Sequence, residues 1–132
     1  MIKNGILNPD INHLLSRIRH TNMLVISDRG FPYWPMIETV DISLVDGIPS
    51  VLQVFSAVIS CMDICEIYMA EEFKLENSIN VQNQFINTAQ KTPITFEPHV
   101  KLKTRVPNAI GLIRTGDTIQ YANMVLVSGR ID

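Results

Sequence analysis

Short apolar runs alternate along this chain with segments of helical periodicity, and that alternation constrains the fold more than any single motif. The run "NMLVIS", residues 22–27, is unbroken from Met23 to Ile26, as expected of a strand covered on both faces. Further strand-like runs are "TVDISLV" (39–45), "CEIYMA" (65–70), "ITFEP" (94–98), "AIGLIRTG" (109–116) and "YANMVLVSG" (121–129). Between them lie helical patterns. "NPDINHLLSRIR" (8–19) places Ile11, Leu14, Leu15 and Ile18 on one face, with Asn8 as cap, Pro9 in the first turn and His13 off the stripe. "SVLQVFSAVISCM" (50–62) repeats the pattern behind Ser50, and "NSINVQNQFINTAQ" (77–90) carries a weaker stripe of Ile79, Val81, Phe85 and Ile86. "HVKLKTRV" (99–106) reads as a short helix or turn. Helices interleaved with apolar strands predict an α/β domain with a mainly parallel sheet and helices on both faces.

The chain has 132 residues, 46% hydrophobic and 18% charged, which suits one globular domain over 1–132. Its net charge of −2 favours neither nucleic acid nor an anionic membrane surface. "MIKNGILNPD" has no apolar core of signal-peptide length, and "VLQVFSAVISCM" is short and broken by Gln53, Ser56 and Ser60. A soluble cytoplasmic protein is therefore expected. Cys61 and Cys65 read as reduced, buried small residues, too few soft ligands for a zinc site.

Ligands in open parallel sheets bind beyond the carboxyl ends of the strands. Asp28 follows the first strand, His99 follows "ITFEP", and "TGDTIQYAN" (115–123) bends between the last two strands. His20 precedes the first strand and belongs at its opposite end. If His20 and Asp28 act together, a site shared between subunits has to join them. Taken singly, each residue also has a plain structural use. His20 suits a helix C-terminus, Asp28 opens a loop, His99 starts the next helix, and Tyr121 and Asn123 belong to a turn.

A resemblance adds to this reading. "RHTNMLVISDRGFP" resembles the G-H-T-D-x-L-x-x-x-D-A-G-L-P pattern of the D-ribose pyranase and L-fucose mutarotase family (RbsD/FucU). The likeness continues through "VDISLVDGIPSVLQV" (40–54), "YMAEEFK" (68–74), "PHVKLK" (98–103) and "IRTGDTIQYANMVLVSG" (113–129). It is collinear over nearly the whole chain. It implies a three-layer α/β/α domain assembled as a decamer of two pentameric rings, with a monosaccharide site between neighbouring subunits. It implies that His20 is the catalytic acid. Sugar-binding roles fall on Asp28, His99 and the Tyr121-Ala122-Asn123 segment, and on Lys103, four residues after His99.

The reaction so implied is exchange of pyranose, furanose and anomeric forms of D-ribose or a related sugar, by acid–base opening of a hemiacetal. It calls for no cofactor and no metal. This sequence departs from the pattern at Arg29, Phe31-Pro32, "YWP" (33–35), Val100, Asp117 and Gln120. Those changes bear on the identity of the sugar. Trp34 or Tyr33 could stack on a sugar face. The short length and "DGIPSVLQV" are nearer the ribose branch than the fucose branch. Two other classes compete: a metal site of His20, His99 and Asp28, and a non-catalytic sugar-binding protein on the same fold.

Overall fold

The computed structural model describes residues 1–131. Six strands form one sheet in the order β2-β5-β1-β6-β3-β4. They are β1 (Met23–Ser27), β2 (Glu38–Asp41), β3 (Ile64–Ala70), β4 (Ile94–Glu97), β5 (Gly111–Arg114) and β6 (Met124–Ser128). β1 pairs parallel with β5, β5 with β2, and β3 with β4. Only β6 runs the other way, antiparallel to both β1 and β3. The sheet is thus mainly parallel, as expected, with its one reversed strand near the middle.

Alternation along the central strands builds two cores. Leu24 and Ile26 of β1, Ile113 of β5 and Met124 and Leu126 of β6 face one side, under α1 (Pro9–Ser16), α2 (Val51–Ile59), α3 (Glu71–Glu76) and α4 (Ile79–Ala89). Val25, Leu112 and Val125 face the other, under α5 (His99–Arg105), a 3-10 turn at 106–108 and Phe31. Having helices on both faces is why the strands carry unbroken apolar runs.

The helix starts are encoded locally. Asn8 accepts from the Asp10 and Ile11 backbone N–H groups at 2.9 and 3.0 Å. Ser50 and Gln53 form a reciprocal capping box at the start of α2. Ser78 caps α4.

Several expectations need correction. The second strand stops at Asp41: the Ile42 N–H still donates to the Arg114 carbonyl of β5 at 2.9 Å, and the chain then leaves the sheet as a loop whose Gly47 and Pro49 bond to Gly116. The first helix ends at Ser16, not Arg19. Helix α3 lies in "EEFKLE", which was not read as a helix; six residues carry too little periodicity to register. On α4, Ile79 and Ile86 are exposed while Phe85 and Ala89 are buried, so the stripe is rotated from the expected one. Cys65 is half-buried and Cys61 exposed, not buried as expected, although both are free thiols. Among the described residues no helix is long and apolar enough to cross a membrane.

Candidate active site

All strands except β6 end on the same side of the molecule, and β6 begins there. Because β5 and β6 flank β1, the 115–123 segment that joins them bridges the carboxyl end of β1. The bridge is stitched to β1 along its length. The Thr115 N–H and hydroxyl donate to the Ser27 carbonyl at 3.0 and 2.8 Å. The Arg29 N–H donates to the Asp117 carbonyl at 3.1 Å. The Asp28 N–H donates to Oδ1 of Asn123 at 2.8 Å.

A cleft of about 470 Å³ opens between this bridge, the 28–32 loop and the start of α5. Asp28, Phe31, His99, Ile119, Tyr121 and Asn123 are among its lining residues. The Asp28 carboxylate accepts from the Gly30 N–H at 3.0 Å. The loop is held open by Arg114, whose guanidinium donates to the carbonyls of Asp28, Arg29 and Pro32 at 3.1 to 3.3 Å. Asp117 is buried; one oxygen accepts from the Val51 N–H at the start of α2 and the other from the Ile119 N–H, at 2.7 and 2.8 Å. The carboxylate thus fixes the bridge while complementing a helix N-terminus. Each polar residue of "RTGD" therefore has a structural task beneath the cleft.

On the opposite wall His99 opens α5. Its ring meets Tyr121 edge-on at 5.1 Å and Phe31 at 6.0 Å. Its Nε2 is buried with no hydrogen-bond partner among the described residues. Such a nitrogen is costly unless something else takes it up. Tyr121 occupies the left-handed region at φ +57, a conformation unusual for a tyrosine, at the tip of the bridge.

Burial shifts both titratable walls toward their neutral forms. Desolvation raises the Asp28 carboxyl above its ordinary 3.8, opposed by hydrogen bonds from Gly30, Phe31 and Asn123 and reinforced by the nearby Asp117 charge. Desolvation lowers His99 below 6.5, as does Lys103, while Glu72 and Asp28 pull it back up. The cleft thus sets a carboxyl group against an imidazole, each biased by burial against its charged form. A carboxylate whose pKa is raised by folding stabilises the fold fully below 3.8, and that contribution is lost as pH rises through the raised value. Asp28→Asn keeps an acceptor for the Gly30 N–H without the charge. It is expected to resist urea better than the parent at neutral pH and to lose that advantage by about pH 3.5. Urea curves at the two pH values check the sign.

The structure brings Asp28, His99, Tyr121 and Asn123 into one cleft. Ala122, within the bridge, is fully buried and does not line the cleft, and Lys103 is half-exposed one turn along α5 from His99. His20 is elsewhere. It is exposed at the amino end of β1, in a second cleft of about 410 Å³ with Arg19, Asp63, Ser128 and Arg130. The five residues of β1 alone hold it roughly 16 Å from Asp28. No metal held by His20, His99 and Asp28 of one chain is compatible with that separation.

Asn123 also departs from its reading as an ordinary turn residue. It is 3% exposed, and its amide oxygen satisfies the backbone of Asp28. Tyr33 is exposed, and Trp34 packs on Phe31 at 5.9 Å, so of the aromatic residues at 31–34 it is Phe31 that lines the cleft, beside Tyr121. Arg114 and Glu72 carry no signal of their own in the sequence. Their tasks depend on contacts with loops far along the chain, which spacing does not reveal.

Comparison with known proteins agrees with this architecture. Residues 1–131 match the "RbsD / FucU transport protein family". The chain is 40% identical over 129 residues to a D-ribose pyranase of Geobacillus thermodenitrificans, covering 98% of this chain and 97% of that one. It is 36% identical to a D-ribose pyranase of Pediococcus pentosaceus, covering 98% of each. Among solved structures, Bacillus subtilis RbsD complexed with D-ribose superposes with a TM-score of 0.91 at 30% identity over the full length of both chains. A fucose mutarotase from Streptococcus pneumoniae, in complex with L-fucose, shares the fold with a TM-score of 0.78 at 17% identity over 96% of this chain and 95% of that one.

Proposed function

The chain belongs to the RbsD/FucU family, and from that membership we propose that it is a sugar-ring isomerase, interconverting the pyranose, furanose and anomeric forms of D-ribose or a closely related monosaccharide. The carrying observation is the cleft itself. A carboxylate, a phenol and a buried imidazole nitrogen without a partner converge there, a set suited to the hydroxyls of a polyol. The ribose preference rests on full-length relatives named D-ribose pyranase at 36% and 40% identity.

Ring opening breaks the bond between the anomeric carbon and the ring oxygen. The ring oxygen gains a proton, the anomeric hydroxyl loses one, and a free carbonyl forms. Reclosure through the same hydroxyl on the other face changes the anomer, and reclosure through another hydroxyl changes the ring size. No electron is transferred and no group leaves, so acid–base chemistry suffices. His20 donates the proton to the ring oxygen and recovers one from the hydroxyl that closes the new ring; the proton of the anomeric hydroxyl passes to solvent water on opening, and water returns one to the carbonyl oxygen on reclosure. Asp28, His99, Lys103 and the Tyr121-Ala122-Asn123 segment hold the remaining hydroxyls.

His20 lies too far from Asp28 to serve the cleft of its own chain. The partner subunit's His20 completes it, in a ring in which each interface carries one site. Two stacked pentameric rings give the decamer, in the cytoplasm.

The test is magnetisation-transfer NMR on free sugars with the protein at catalytic concentration. Faster exchange between ribopyranose and ribofuranose signals is expected, with a smaller effect or none on fucose. Binding of a sugar without acceleration of any exchange would instead establish the non-catalytic reading.

A further inference from the structure

Helix α5 begins at His99 without a cap of its own, because Pro98 offers no side-chain acceptor. The acceptor comes from another element. Both carboxylate oxygens of Glu72, on α3, lie within hydrogen-bond distance of the His99 backbone N–H, at 3.1 and 3.2 Å. Glu72 is partly buried and is not among the residues lining the cleft. At the far end of α5, Arg105 grips the buried Glu97 at 2.6 and 3.0 Å and lies over the Tyr68 ring at 3.6 Å. The helix is therefore clamped at both ends, and the clamp at its start holds the residue that faces the cleft.

We propose that Glu72 is a positioning residue of the site, fixing the first turn of α5 and with it the direction in which the His99 imidazole presents Nε2 to a sugar hydroxyl. This rests on reading the cleft as the sugar site. A carboxylate at a helix N-terminus is favoured by the exposed N–H groups and the helix dipole. Here the same carboxylate also acts on the imidazole through space. The charged and titratable groups facing His99 are Glu72 from α3, Asp28 from the loop after β1, Lys103 from α5 itself and Tyr121 from the bridge. Glu72 and Asp28 raise the tendency of His99 to hold a proton, and burial and Lys103 lower it.

Two variants test this. Glu72→Ala removes the acceptor, and it is expected to raise KM for ribose by up to about tenfold, the worth of one misdirected hydrogen bond, with kcat within about twofold. Glu72→Gln keeps an oxygen for the His99 N–H and removes the charge. It is expected to return KM close to the parent value and to move the His99 ring titration to lower pH. That titration is readable by NMR without sugar, since the chain has only three histidines. An unchanged KM in Glu72→Ala overturns the proposal, as does a Glu72→Gln variant impaired equally with Glu72→Ala. A His99 titration identical in Glu72→Gln and the parent also overturns it, and this arm stands even if Glu72→Ala does not fold. If the parent protein accelerates no sugar exchange, the functional reading falls, while the titration still decides the link between Glu72 and His99.

Discussion

His20→Ala is expected to abolish accelerated exchange between the ring forms of ribose while leaving sugar binding largely intact. A positioned general acid is worth about 10²–10⁴-fold, so the loss takes the rate to near the uncatalysed one. His20→Asn is expected to fail equally, because an amide keeps a hydrogen bond and cannot cycle a proton near neutral pH. On the proposed reading binding survives because Asp28, His99, Tyr121 and Asn123, which line the cleft at the carboxyl ends of the strands, are untouched by the substitution. The same geometry gives a sharper test. If the proposed shared site holds, Asp28→Ala is inactive for lack of a binding wall, and His20→Ala for lack of an acid. Denaturing an equal mixture and refolding it together would then scatter both chains through each assembly. About a quarter of the interfaces then pair an intact acid with an intact wall, as expected of head-to-tail contacts. Recovery of about that fraction of the activity is expected, read by magnetisation transfer. No recovery would mean that the two halves come from one chain. Full activity in His20→Ala would pass the acid role to His99.

Gly116→Ala is expected to be the most destabilising single methyl group in the molecule. A β-carbon there overlaps the backbone carbonyl oxygens of Val45 and Ile48, and backbone cannot rotate out of the way as a side chain can. The position is pinned from both sides. The Gly116 N–H donates to the Pro49 carbonyl at 2.9 Å, and its carbonyl accepts from Gly47 at 2.6 Å. Overpacking of this kind costs about 1–3 kcal/mol even where neighbours are flexible, and a cost of about 3 kcal/mol or more is expected here. Displacing the loop also disturbs Asp117, which caps α2, and Thr115, which ties the bridge to β1. Gly30→Ala serves as the control. It lies in the same cleft region, and its nearest neighbour, an Asp28 oxygen, is 3.8 Å away. Its unfolding midpoint should stay close to the parent value, while that of Gly116→Ala falls by roughly 10 °C.

The fold was legible where burial imposes a pattern. The unbroken run at Met23–Ile26 announced a strand covered twice, and Ser50 with Gln53 announced the start of α2. Legibility ended where a contact crosses the chain. Nothing local to "EEF" says that Glu72 caps a helix beginning 27 residues later. Nothing local to Ile42 says that its chain must leave the sheet to pack on Gly116. The stripe on α4 was misplaced because Ile79 and Ile86 are as apolar as core residues and yet exposed. The ingredients of the site were legible as residue types beyond strand ends, and so was the opposition of His20 to Asp28. The structural duty of Asn123 was not, because an amide in a turn and an amide buried against another loop read alike in sequence.

The reversed strand β6 has a consequence for the order of assembly. It fills the slot between β1 and β3, and it is the last strand in chain order. Without β6 the other strands fall into two unconnected sets, β2, β5 and β1 on one side and β3 and β4 on the other, each with an edge that β6 alone pairs. Joining the two sets requires inserting β6 between them. Pairings so distant along the chain make this a slow step and expose the nascent molecule to strand exchange with other chains. The bridge over β1 is drawn taut in the same event, so the cleft has no partly formed version: it comes into being when the sheet closes.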